Sequence, residues 1–224
     1  MAPSPALERL LDALEEPEAP TTVHARAEAA DVHLADSLAG LEVAALRSAR
    51  RIADLGSGAG LPGLVLAAAL PDASVVLVES ARRKAEWIAA TAERMGVPNA
   101  RALWARAEEV DPGDGFDAVC ARALAALPVL CEYAAPLLRP RGVLVCWKGA
   151  VPEDEAADGR AAAAQLGLSA PEVIPVRPYA RSRNRTLWVF TRVGDVPPGF
   201  PRRPGMALKR PLGVKNRAPS AKAS

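Results

Sequence analysis

The feature that most constrains this chain is an alternation. Short, nearly uninterrupted apolar runs alternate with longer segments whose apolar residues recur every three to four positions. The runs predict strands over 51–55, 74–78, 100–104, 116–121 and 142–147, and the longer segments predict helices over 61–70, 81–95, 127–138 and 153–166. In the helix over 81–95, Ala85, Ile88, Ala92 and Met95 share one face, and Gly96 stops it. Strands apolar on both faces require a parallel sheet covered by helices on both sides. Two further strands, over 172–176 and 186–191, are separated by too few residues for a helix and are expected to pair antiparallel. The expected fold is therefore α/β, with a seven-stranded, mostly parallel sheet. A length of 224 residues fits one such domain. The organisation read here is an N-terminal helical extension over 1–48, the sheet domain over 49–193 and a proline-rich basic tail over 194–224. The extension divides into a helix over 6–14, a Pro/Glu-rich break over 15–20 and a longer helical stretch over 22–48.

Several function classes are excluded. The longest apolar stretch, residues 64–70, is about a third of a membrane span. The first five residues have neither the basic nor the apolar region of a secretory signal. Cys120, Cys131 and Cys146 lack metal spacing and lie in apolar segments, so they read as buried, reduced thiols, with no metal site and a cytoplasmic location expected. The net charge of +2 hides an asymmetry: residues 177–224 carry twelve Lys and Arg against one acid, Asp195. A basic quarter on an acidic body suggests a polyanionic partner.

Residues 54–63, Asp-Leu-Gly-Ser-Gly-Ala-Gly-Leu-Pro-Gly, admit two motif registers. Gly58-x-Gly60-x-x-Gly63 satisfies a dinucleotide fingerprint, which would make the chain an NAD(P)-dependent oxidoreductase. Asp54-x-Gly56-x-Gly58-x-Gly60 satisfies an S-adenosylmethionine fingerprint. The apolar strand ends at Leu55, so the tight turn begins at Gly56, which favours the second register. It places Asp54 at the strand end near a methionine ammonium, and the glycines let backbone approach a cofactor closely. Glu79 closes the second strand, where an acid can accept two ribose hydroxyls. Glu108 follows the third strand, where an adenine edge would lie. Five βα steps followed by an antiparallel pair are the pattern of class I S-adenosylmethionine-dependent methyltransferases, which are Rossmann-like.

With these residues in place, the chain resembles the bacterial 16S rRNA (guanine-N7)-methyltransferase family, also called glucose-inhibited division protein B, over about residues 20–213. The matching pieces are His33-x-x-Asp36-Ser37, the turn through Leu61-Pro62-Gly63, Glu79-Ser80, Arg106-Ala107-Glu108-Glu109, Ala121-Arg122-Ala123, Lys148-Gly149 and the tail segment 200–212. Pro20-Thr21-Thr22 stands where the family has Asn-Leu-Thr. The resemblance implies S-adenosylmethionine-dependent methylation of one guanine N7 in the 530 loop of small-subunit rRNA. By position it implies cofactor contacts at Gly56, Leu61, Ala107, Glu108 and Arg122. The partner implied is 16S rRNA or the small ribosomal subunit, with the protein a monomer.

Guanine N7 is already a nucleophile, so no general base is expected. Arg122, at the end of the fourth strand, is the expected positioning residue, although it could instead form a structural salt bridge to an acid such as Asp54. Lys148, Arg181, Arg183, Arg185, Arg202, Arg203, Lys209 and Arg210 are the candidate RNA contacts, as phosphate contacts, with Lys215, Arg217 and Lys222 further along the tail. His33 could cover the cofactor pocket. Cys120 and the tryptophans Trp87, Trp104, Trp147 and Trp188 are expected in the core. A non-catalytic RNA-binding assembly factor on the same fold is a further alternative.

Overall fold

The computed structural model describes residues 3–213. Seven strands form one sheet: β1 (Arg51–Leu55), β2 (Ser74–Glu79), β3 (Ala100–Trp104), β4 (Phe116–Arg122), β5 (Leu138–Lys148), β6 (Glu172–Val176) and β7 (Arg185–Thr191). Their order is β3-β2-β1-β4-β5-β7-β6. Neighbours are parallel from β3 to β5, and β7 runs antiparallel to both β5 and β6. Strand order reverses between β1 and β4, where open α/β sheets bind ligands beyond the strands' carboxyl ends.

Side-chain alternation divides the core into two layers. Ile52, Val75, Leu77, Cys120, Val145 and Leu187 face one side; Leu55, Val78, Val119, Leu144, Cys146 and Phe190 face the other. The first layer is closed by helices Pro5–Glu15, Gly63–Ala69 and Arg82–Met95, the second by Leu127–Ala134 and Glu153–Gln165. Leu10, Leu11 and Leu14 of the first helix pack in the same layer as Ile88 and Met95. All three cysteines are buried free thiols, as expected. Among the described residues no helix is long and apolar enough to cross a membrane.

Departures from expectation have local causes. The helix expected over 61–70 begins at Gly63, because the preceding residues close their own turns: Leu61 N–H donates to Ser57 O and Leu64 N–H to Gly60 O. The stretch expected over 22–48 starts at Arg26. It contains a π-helical turn, Ala30–Ala35, and breaks at extended Val43. The helix over 127–138 ends at Ala134, where a 3₁₀ turn carrying Pro136 leads into a longer β5. Trp104 is corrected from core to surface. It ends an edge strand and is 60% exposed, with its indole N–H donating to Ser80 O at 3.0 Å and the Arg82 guanidinium over its ring.

The tail is fixed to the body through a buried acid. The carboxylate of fully buried Glu132 accepts the backbone N–H of Arg202 at 3.1 Å and its guanidinium at 2.8 and 2.5 Å. Phe200 and Ala207 add apolar packing. Removing one partner of a buried pair leaves a desolvated charge, at a cost of about 3–5 kcal/mol. We expect Arg202→Ala to lose stability on that scale in urea unfolding, and Glu132→Gln in the same background to restore part of it. Unchanged stability in Arg202→Ala would show that the latch does not hold the fold.

Candidate active site

β1 ends at Leu55 because the chain turns left-handed at Gly56, with φ +65°, and again at Gly58 and Gly60, with φ +57° and +75°. The turn leans onto β2: the N–H groups of Gly56 and Ser57 donate to Val78 O at 2.9 and 3.1 Å. Glu79 at the end of β2 then grips its apex. Gly58 N–H donates to Glu79 Oε2 at 3.0 Å, and Ala81 N–H to Oε1 at 2.8 Å. Glu79 is therefore a buried clasp and not a solvated cap.

The glycines are needed for different reasons. A Cβ on Gly56 would meet Leu124 at 2.5 Å, and one on Gly60 would meet Leu64 at 2.4 Å, so these are packing constraints as well as backbone ones. A Cβ on Gly58 would have nothing nearer than Gly56 O at 3.9 Å. Its space opens into a cavity of about 370 Å³, whose walls include Gly56, Gly58, Leu61, Glu79 and Arg122. Sequence reasoning placed all five of these together. It missed Thr21 and Lys84, which also line the cavity and which only the folded chain brings there.

Asp54 lies beneath the turn, not in the cavity wall. Its fully buried carboxylate accepts Gly63 N–H at 2.9 Å and so ties the end of β1 to the start of the next helix. Its Oδ1 has no hydrogen-bond partner among the described residues. Burial outweighs these hydrogen bonds and pushes the carboxyl up to about 7.

Arg122 ends β4 with its side chain only 14% exposed. It pairs with Asp36, not Asp54: Nη1 donates to Asp36 Oδ2 at 3.1 Å and to Val32 O at 3.0 Å. Nη2 lies 3.5 Å from His33 Nδ1. Arginine only donates, so Nδ1 accepts and Nε2 carries the proton that reaches Thr21 Oγ1 at 2.9 Å. Burial and the neighbouring Arg122 push His33 down to about 4, which keeps the ring neutral. The π turn over Ala30–Ala35 delivers Val32 and His33 to this contact, and Asp36 follows it directly.

The remaining candidates separate. Ala107 and Glu108 form a 3₁₀ turn after β3 but do not line the cavity, and Glu108 Oε1 accepts the tail's Gly205 N–H at 2.8 Å. Among the cations, Lys148 is held by Glu155 at 2.6 Å and Arg202 by Glu132, so part of their donor capacity serves the protein itself. Arg185 Nε lies 3.4 Å from Asp36 Oδ1. Arg181, Arg183, Arg203, Lys209 and Arg210 are exposed. Arg183 and Arg185 line a second cavity of about 610 Å³ between the end of β5 and the β6–β7 hairpin. Lys215, Arg217 and Lys222 lie outside the described residues.

Two outcomes test this geometry. Gly58→Ala places a methyl in the cavity at a positive φ, at a backbone cost of about 1–2 kcal/mol. The variant should fold and lose ligand affinity, and calorimetric binding that matches the parent would remove the apex from the site. For Asp54, the folded pKa lies above the ordinary 3.8, so folding takes up a proton between about 4 and 7. Stability should fall as pH rises through that window, by up to about 1.4 kcal/mol per pH unit, and level off above it. Asp54→Asn should lack this component in urea unfolding, and parallel pH profiles for the two proteins would contradict the assignment.

Comparison with known proteins places this geometry in a family. The family described as rRNA small subunit methyltransferase G matches residues 7–178. A ribosomal RNA small subunit methyltransferase G from Rubrobacter xylanophilus is 42% identical over 187 residues, covering 80% of this chain and 72% of the relative. One from Pelotomaculum thermopropionicum is 38% identical, covering 86% of this chain and 82% of its own length. Among solved structures, the O-methyltransferase TomG from Streptomyces achromogenes, in complex with SAM, shares the fold with a TM-score of 0.56 at 23% identity, covering 86% of this chain and 92% of its own. The seven-stranded order, the glycine turn with its Glu79 clasp and the match over residues 7–178 agree: the chain belongs to the rRNA small subunit methyltransferase G family.

Proposed function

We propose that this protein transfers a methyl group from S-adenosylmethionine to N7 of a guanine in the 530 loop of 16S rRNA, acting on the rRNA or on the small ribosomal subunit. The observation that carries the reading is the Glu79–Gly58 clasp on the turn after β1, beside the topological switch point, in a chain of this family. The site suits the cofactor. The Gly58 apex has open space above it, and Glu79 Oε2 accepts only the Gly58 N–H and keeps lone-pair capacity for a ribose hydroxyl, while Oε1 takes the Ala81 N–H and the Ser80 hydroxyl. Gly56 and Leu61 line the cavity around it, Gly60 lets the turn pack on Leu64, and Asp54 braces the turn from below. Ala107 and Glu108 would lie on the adenine side.

When bound, S-adenosylmethionine supplies a methyl group activated by a sulfonium. Guanine N7 offers an in-plane lone pair and no proton. The protein therefore needs no base to start the reaction, and its contribution is proximity and alignment. Arg122, part-buried in the cavity lining, would orient the acceptor. Neutral His33 leaves the local charge to Arg122 and Asp36. Cys120 is fully buried with its thiol pushed well up, which fits a core residue and not a nucleophile. The exposed Arg181, Arg183, Arg203, Lys209 and Arg210 supply phosphate contacts, each worth about 0.7–0.9 in the log–log salt slope.

The deciding experiment incubates the protein with labelled S-adenosylmethionine and small subunits from a strain lacking this enzyme, then maps N7-methylguanine in the rRNA. Label in the 530 loop at N7 is the expected result. Transfer to another atom or loop would refute the specificity, and no transfer would favour a non-catalytic RNA-binding role. Glu79→Gln should weaken cofactor binding by about 1–3 kcal/mol through loss of charged hydrogen bonds, while Cys120→Ser should still transfer.

A further inference from the structure

Asp36 is a charged residue only 2% exposed, and its two oxygens serve two arginines that face different cavities. Oδ2 holds Arg122, which lines the glycine-turn cavity, at 3.1 Å. Oδ1 forms an ion pair with Arg185, which lines the hairpin cavity, at 3.4 Å. Arg122 comes from the end of β4, Arg185 from the start of β7, and Asp36 from the helical segment that precedes the sheet. Without the carboxylate, two cations would stand together in a partly desolvated place and repel each other. With it, the trio carries a net single positive charge. Asp36 itself is fixed: its backbone oxygen accepts the Trp147 indole N–H at 2.8 Å, and Ser37 Oγ donates to His33 O at 2.5 Å one residue further on.

We propose that Asp36 is a positioning residue that sets Arg122 and Arg185 in one geometry and so couples the cofactor cavity to the cavity that receives the RNA backbone. This rests on the methyltransferase reading above. Arg122 has donors committed to Asp36 and Val32, so its orientation is decided by these partners and not by the substrate. Arg185 is 35% exposed in its side chain; its Nε side faces Asp36, Tyr179 takes a further hydrogen bond, and the remaining donors of the guanidinium fork can meet a phosphate oxygen. An RNA phosphate bound by Arg185 is thus registered, through one rigid carboxylate, to the guanidinium beside the methyl acceptor. Asp36 does not line the glycine-turn cavity and does not touch the reacting atoms.

The test uses the full chain with small subunits as methyl acceptor. Asp36→Asn removes the charge and keeps the shape. Misorientation on the ångström scale costs about 100-fold in rate, so kcat at saturating cofactor and subunits should fall by about 10- to 100-fold. Cofactor affinity by calorimetry should stay within about twofold, since the clasp at Glu79 is untouched. In an Arg185→Lys background the Asp36→Asn effect on kcat should shrink, because the two share one interaction. A variant with lowered melting temperature but parental kcat, a loss confined to cofactor affinity, or independent effects of the Asp36 and Arg185 changes would each overturn the inference. If Asp36→Asn fails to fold, Asp36→Glu keeps the charge and moves the carboxylate by one methylene. A reduced kcat is then expected, and a parental one refutes the proposal. Absence of transfer by the parental protein would instead refute the methyltransferase reading, so the two failures are distinguishable.

Discussion

The structure depends on one contact between a strand end and a turn: the Glu79 carboxylate accepting the Gly58 N–H. Backbone that turns left-handed at Gly56, Gly58 and Gly60 presents N–H groups that no helix or sheet ladder satisfies. Val78 O takes two of them and Glu79 takes the apex. Asp54 secures the far side of the same turn through Gly63 N–H. Two buried carboxylates at the ends of adjacent parallel strands thus hold a loop whose open side forms the cavity. Burying them is costly, and for Asp54 the cost shows as a carboxyl pushed up to about 7.

Around this turn, the charges divide by partner. Glu132 takes Arg202, Glu155 takes Lys148 and Asp36 takes Arg122 and Arg185, each acid being well buried relative to the surface pairs such as Arg82–Glu86. Buried pairs of this kind specify where a segment docks more than they add net stability. The Glu132 latch places the tail against the 3₁₀ turn that carries Glu108, through Gly205 N–H, so part of the basic tail is architecture. The cations left exposed lie on the hairpin and the outer tail, and on the proposed reading these would meet the polyanion with a salt-dependent affinity.

This arrangement suits a reaction whose acceptor needs no deprotonation. The site offers a neutral His33, thiols held in the apolar core, and an arginine whose orientation is fixed by neighbours. On the proposed reading its contribution is to hold two partners in register, and the buried contacts would supply the precision of that register.

The sequence by itself determined the strand and helix alternation, the antiparallel closing pair, the register of the glycine turn and the burial of the cysteines. Each follows from local periodicity or from backbone constraints within a few residues. It also put Glu79 and Arg122 at the site, because strand ends in a parallel sheet converge on one edge. Only the tertiary structure decided which charge meets which. Arg122 and Asp36 are joined at 3.1 Å, Lys148 and Glu155 at 2.6 Å, and Arg202 and Glu132 at 2.5 Å across long stretches of chain, and no periodicity encodes such pairings. The same limit explains Trp104: alternation assigns it a face of the sheet, but whether that face is covered depends on β3 being an edge strand, which is set by the order of all seven strands.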